Sequence, residues 1–101
     1  MPAELKQRLV HSRHYCADRL VEVKQDLAGL QTEANVLKTR LETAGDEIEA
    51  GHIRRRRRFL SRRLEELKAE RAALTAELQA ATEQLNDASA AGADSSRAEA
   101  P

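Results

Sequence analysis

Residues 41–60 read LETAGDEIEAGHIRRRRRFL, and the phase of the apolar pattern on either side of this stretch decides the fold. Upstream, Cys16, Leu20, Val23, Leu27, Leu30, Ala34, Leu37, Leu41, Ala44 and Ile48 follow one another in alternating steps of four and three. Downstream, Ile53, Arg57, Leu60, Leu64, Leu67, Arg71, Leu74, Leu78, Ala81 and Leu85 do the same. A sustained three–four alternation is the seam of a coiled coil. The first frame, carried past Ile48, would reach positions 51, 55, 58 and 62, yet the second seam lies two residues later. Two residues rotate a helical stripe by roughly 200°. On one unbroken helix the two seams would therefore face apart. Gly45 and Gly51 stand at the phase break, and glycine favours helix ends.

The expected fold is all-α: an antiparallel two-helix coiled-coil hairpin, associating into a larger helical bundle. Pairing Ile48 with Ile53 aligns Leu41 with Leu60, Leu37 with Leu64, Leu30 with Arg71 and Cys16 with Leu85. This register predicts helix 1 over about 3–48, a turn at 49–52 and helix 2 over about 53–88, making one hairpin of residues 1–88. Arg71 would reach Asp26 or Glu33 across the seam. A dimer of bent rods is the competing arrangement. Pro2 suits the first turn of helix 1. The steps Leu5, Leu9, Ser12, Cys16 and Leu20 insert a stutter, which locally unwinds a coiled coil. From residue 89 the chain reads SAAGADSSRAEAP, too polar and small to bury, and 89–101 is expected to be a disordered tail.

Composition supports helices and little else. Charged residues make up 34% and aromatics 2%, the latter being Tyr15 and Phe59 alone, so any core must be built from Leu, Val, Ile and Ala. The formal net charge is zero, but residues 53–78 carry nine Arg or Lys against four Glu, with acidic stretches on both sides. Cys16 is the single cysteine, which rules out an intramolecular disulfide and suits a reducing compartment. With no long apolar run, neither a membrane span nor a signal peptide is expected, and a cytoplasmic (or nuclear) location is the default.

A hairpin whose layers contain alanine, arginine and cysteine buries little apolar area against the entropy of ordering both helices. Small-residue ridges, Ala69, Ala73, Ala76 and Ala80 on helix 2 and Val10, Ala17, Val21 and Ala28 on helix 1, would admit further helices. Because helix 2 is expected to end near Ala88, the first fifteen residues would overhang and leave Leu5, Leu9 and Val10 free to dock. These features point to a non-enzymatic adaptor or structural subunit, a scaffold whose partners are other proteins or further copies of itself. No nucleophile–base set, phosphate loop or deep apolar pocket is legible, so neither an enzyme, a cofactor nor a small-molecule substrate is expected. His11, His14 and Cys16 lie close in sequence but provide too few ligands for a zinc site.

The arginine run is the most distinctive local feature. Arg54, Arg55, Arg56, Arg57 and Arg58, with Arg62 and Arg63, would form a basic collar around helix 2, and Phe59 would stand outside the seam beside it. Guanidinium forks fit phosphate and carboxylate oxygens. Three uses suit such a collar: contact with nucleic acid or the ribosome, docking on an acidic protein surface, or internal balance against Glu42, Asp46, Glu47 and Glu49. Ser61, in the pattern Arg-x-Arg-x-x-Ser with Arg56 and Arg58, resembles a basophilic-kinase site.

The stretch Gly45, Asp46, Glu47, Ile48, Glu49 at the end of a long helix resembles the acidic tip of the coiled-coil finger in Gre-type transcript-cleavage factors. That resemblance implies a finger over residues 1–85 that enters the RNA polymerase secondary channel, with Asp46 and Glu49 as the tip carboxylates that help hold a metal ion. The Asn and Tyr that follow the acids in that family are absent here, and an arginine run takes the place of a mixed segment.

Overall fold

The computed structural model describes the backbone of residues 1–99 and the side chains of residues 1–90. Two long helices account for nearly all of it: α1, Ala3–Glu42, and α2, Glu47–Glu99. No strand occurs among the described residues. Contacts group the chain into two units, one of Met1–Leu20 with α2 from Ala73 onward, the other of Val21–Ala72.

Val21–Ala72 is a helical hairpin, and its turn is not where the heptad register put it. α1 ends at Glu42 rather than near residue 48, and α2 begins at Glu47 rather than at 53. The last turn of α1 tightens, with Thr43 N donating to Arg40 O at 3.3 Å and Ala44 N to Leu41 O at 3.4 Å. Asp46 then caps α2: its Oδ1 accepts from Glu49 N at 2.7 Å, and its backbone carbonyl accepts the first helical bond from Ala50 N at 3.0 Å. Glu49 Oε2 reaches back to accept from Gly45 N at 3.4 Å. An aspartate whose third residue on is a glutamate is the signature of a capped helix start, because both side chains satisfy otherwise orphaned amides. That local chemistry places the turn. Neither Gly45 nor Gly51 has positive φ, and Gly51 lies inside α2, so the turn needs no glycine.

The earlier turn slides the seam. Leu37 clusters with Ile53 and Leu60, and Leu30, Ala34, Leu41 and Ala44 pack against that cluster. Leu37, expected opposite Leu64, thus shares its cluster with Ile53 and Leu60, and Leu41, expected opposite Leu60, packs against that same cluster. Glu33 faces Arg56, so it is not available to Arg71 as expected. Ile48, expected to open the seam, is 74% exposed, and Ala50, 6% exposed, takes that place. Once α2 starts at Glu47, the seam extends backward by three from Ile53 to Ala50. Leu60 and Leu67 are essentially fully buried, each contributing roughly 1.5–3 kcal/mol.

In the other unit, Cys16, Leu20, Leu74, Ala81 and Leu85 are buried. The thiol of Cys16 donates to Glu77 Oε2 at 3.4 Å, where the expected register had set Leu85 opposite it. Lys6 N donates to Pro2 O at 3.1 Å and starts α1. α2 runs through Glu99 instead of fading near Ala88, and alanine-rich sequence supports helix locally. The expectation of a disordered tail over 89–101 falls largely on residues whose side chains lie outside those described. With helix from Ala73 onward in this unit, the expected bare overhang is not found: Leu9 and Val10 are half-buried, and Leu5 stays exposed.

Candidate functional site

At about 100° per residue the arginine run spreads around α2, and its members differ in what they touch. One face carries Arg56, Phe59 and Arg63. Arg56 grips Glu33 of α1 with a bidentate fork, Nε to Oε1 at 2.8 Å and Nη2 to Oε2 at 3.1 Å. Its guanidinium carbon also lies 4.9 Å from the centre of the Phe59 ring, a cation–π distance. This contact holds the Glu33 carboxyl below the usual carboxylate range and raises the Arg56 guanidinium, the hydrogen bond being the main cause in both. Arg63 is drawn to Glu66, Nη1 to Oε2 at 3.1 Å. A shallow groove lies alongside, lined by Asp26, Gly29, Leu30, Phe59, Arg63 and Leu67. The acids that meet this face are Glu33 and Glu66, not those expected from the sequence.

The other face carries Arg57, Ser61, Arg54, Arg58 and Arg62 in an arc of about 140°. Arg57 is half-buried and the others are exposed. Two surface grooves meet at Arg58 and Ser61, one bordered by Arg54 and Arg57, the other by Arg55 and Arg62. Arg54 approaches Glu47 at 3.7 Å, a loose pair with the Glu47 side chain 92% exposed. Arg55 Nη2 lies 3.1 Å from His52 Nδ1. Among the described residues, Arg57, Arg58 and Arg62 form no ion pair. Of the nearby acids named from the sequence, only Glu47 touches the run.

The acids singled out at residues 45–49 sit at the turn of the hairpin, and both serve the backbone. Asp46 and Glu49 accept from amides of the turn and of the first turn of α2. The docking residues expected near the N-terminus do not behave alike, for Leu5 is 43% exposed while Leu9 and Val10 are half-buried. A groove on the same helix is bordered by Glu4, Gln7, Arg8 and His11. His11 and His14 are exposed and Cys16 is buried. Burial, and secondarily the Glu77 carboxylate, push the Cys16 thiol up. Among the described residues no three His, Cys, Asp or Glu side chains gather where a metal ion could be held. No described helix is long and apolar enough to cross a membrane.

Sequence reasoning missed four of these features: the Glu33 fork, the Glu77 partner of Cys16, the groove over Gly29 and the Asp46–Glu49 cap. The first two depend on the register between helices, which no local pattern records. The Asp46–Glu49 cap was readable, because its residue types and spacing are a helix-start signal in themselves.

No protein-family model, curated protein or solved structure matches the chain. The likeness to the Gre finger therefore stands on residues 45–49 alone.

Proposed function

We propose that this chain is a non-enzymatic helical assembly module, a coiled-coil adaptor or structural subunit that buries its outer apolar side chains against further helices. Those helices come from a second copy or from a protein partner, and the product is a helical bundle. One observation carries the reading: Leu5, Val21, Val36 and Ile48 remain 43–74% exposed on helices whose buried side chains, among the described residues, are aliphatic or cysteine. A single aliphatic seam is thin support for two helices of this length. Tyr15 and Phe59 are both exposed, and the largest fully buried side chains among the described residues are Leu60, Leu67, Val23 and Cys16. Additional helices against the exposed valines and leucine would supply the missing area at roughly 25 cal/mol per Å2. A reducing, cytoplasmic setting suits the free thiol of Cys16.

Sedimentation equilibrium across micromolar concentrations tests the proposal directly. A dimer or larger species is expected, reduced to monomer by the pair Val21→Ser and Val36→Ser. A chain that remains a stable, fully helical monomer throughout that range would refute self-assembly. Should it also gain no helix or stability when mixed with partners captured by it, the module reading falls.

A further inference from the structure

We infer that the face of α2 bearing Arg54, Arg57, Arg58 and Arg62 binds the phosphate backbone of nucleic acid without reading bases. The first ground is charge left over after internal pairing. Arg56 and Arg63 pair with Glu33 and Glu66, whereas among the described residues Arg57, Arg58 and Arg62 form no ion pair and Arg54 makes the loose contact with Glu47. Concentrating cations on one face is unfavourable by mutual repulsion, and a polyanion relieves it by releasing its condensed counterions.

Spacing is the second ground. Arg54, Arg58 and Arg62 recur every four residues, about 6 Å apart along the helix axis. They form a row rather than a pocket, suited to successive phosphates on a strand and not to one small anion. Between them Ser61 adds a hydroxyl at the meeting point of two grooves. Ser and Arg side chains together are the usual phosphate-contacting set.

The third ground distinguishes nucleic acid from an acidic protein. Protein interfaces concentrate their energy in a desolvated apolar or aromatic centre. The row itself contains none, and Phe59, one helical turn from Arg62, is held under the Arg56 guanidinium. A purely cationic row with no aromatic to stack a base is sufficient for backbone binding and insufficient for sequence recognition. Glu65, one turn beyond Ser61 on the same face, lies 3.7 Å from Lys68, which offsets part of its charge.

The test is fluorescence anisotropy of the full chain with labelled 20-base-pair duplexes of DNA and of RNA, titrated with salt. Both duplexes should bind irrespective of sequence, and log K should fall against log salt with a slope of about −3 per chain, as expected for three to four phosphates. The variant Arg54→Gln, Arg58→Gln, Arg62→Gln should lose at least about tenfold in affinity and most of that slope. Glutamine is a good helix former, and circular dichroism confirms that this variant keeps its helix. Arg56→Gln with Arg63→Gln should bind like the parent, and Ser61→Glu should weaken binding. Binding of only one of the two duplexes would identify the source while preserving the shared phosphate chemistry. Equal binding by the triple variant would overturn the inference. So would tighter binding of a poly-glutamate peptide, or of anionic lipid vesicles, than of either duplex.

Discussion

At the scale of single residues, electrostatics and conformational freedom make separate, measurable contributions. Glu33 has its carboxyl pKa lowered by Arg56, so its contribution to stability is present above the ordinary carboxylate range and is lost as pH falls through the lowered value. Thermal melts followed from neutral pH to about pH 3 should therefore fall more steeply for the parent than for Glu33→Gln, whose curve lacks this ionisation. Cys16 runs the other way. Its thiol is raised, so the stability it confers is complete below the ordinary thiol range and fades as alkali ionises it. Labelling of Cys16 by a thiol reagent at pH 8 should be at least about tenfold slower in native buffer than in denaturant, since burial and a higher pKa both suppress the thiolate. Fast labelling in both conditions would contradict the burial. Gly29 lies mid-helix with nothing within 4 Å of where a Cβ would stand. Gly29→Ala should stabilise the chain by about 0.5–1 kcal/mol, read as a rise of a few degrees in Tm.

At the scale of elements, the start of α2 is decided by one cap. Asp46 satisfies Glu49 N, and Glu49 satisfies Gly45 N, which together fix where the second helix begins. Asp46→Ala should cost about 1 kcal/mol, and Asp46→Ser should recover most of it, because serine keeps a side-chain acceptor. Urea midpoints of the two variants give the comparison. A loss in both alike would mean that the acid acts through charge at the helix N-terminus and not through the hydrogen bond. Gly51, inside α2 with open space around it, is dispensable for the turn. Heptad spacing could not have shown this. A two-residue phase shift requires that the chain break somewhere between the two seams, and it is satisfied equally by a turn at 43–46 or at 49–52. Side-chain chemistry at the helix ends separates them.

For the molecule as a whole, stability rests on a few deep aliphatic positions. Leu60, 1% exposed and packed with Leu37 and Ile53, should cost about 2–5 kcal/mol when cut to alanine, a large part of the stability of a domain this size. Circular dichroism melts of Leu60→Ala should show the transition lowered by 10 °C or more, while Lys38→Ala, at an exposed polar site, should leave it nearly unchanged. The sequence alone determined that this is an all-helical chain with two seams, and burial follows both stripes from Cys16 to Ala44 and from Ile53 to Leu85 apart from the exposed Arg71. It did so because apolar periodicity is a local property that any single helix displays. Only the tertiary structure decided which layers meet, that Ala50 and not Ile48 is buried, and which arginines are consumed. Those outcomes depend on sliding one helix along the other, and several slides match apolar to apolar almost equally well. The cap at Asp46 and the fork between Glu33 and Arg56 choose among them, and their choice leaves one row of arginines facing outward.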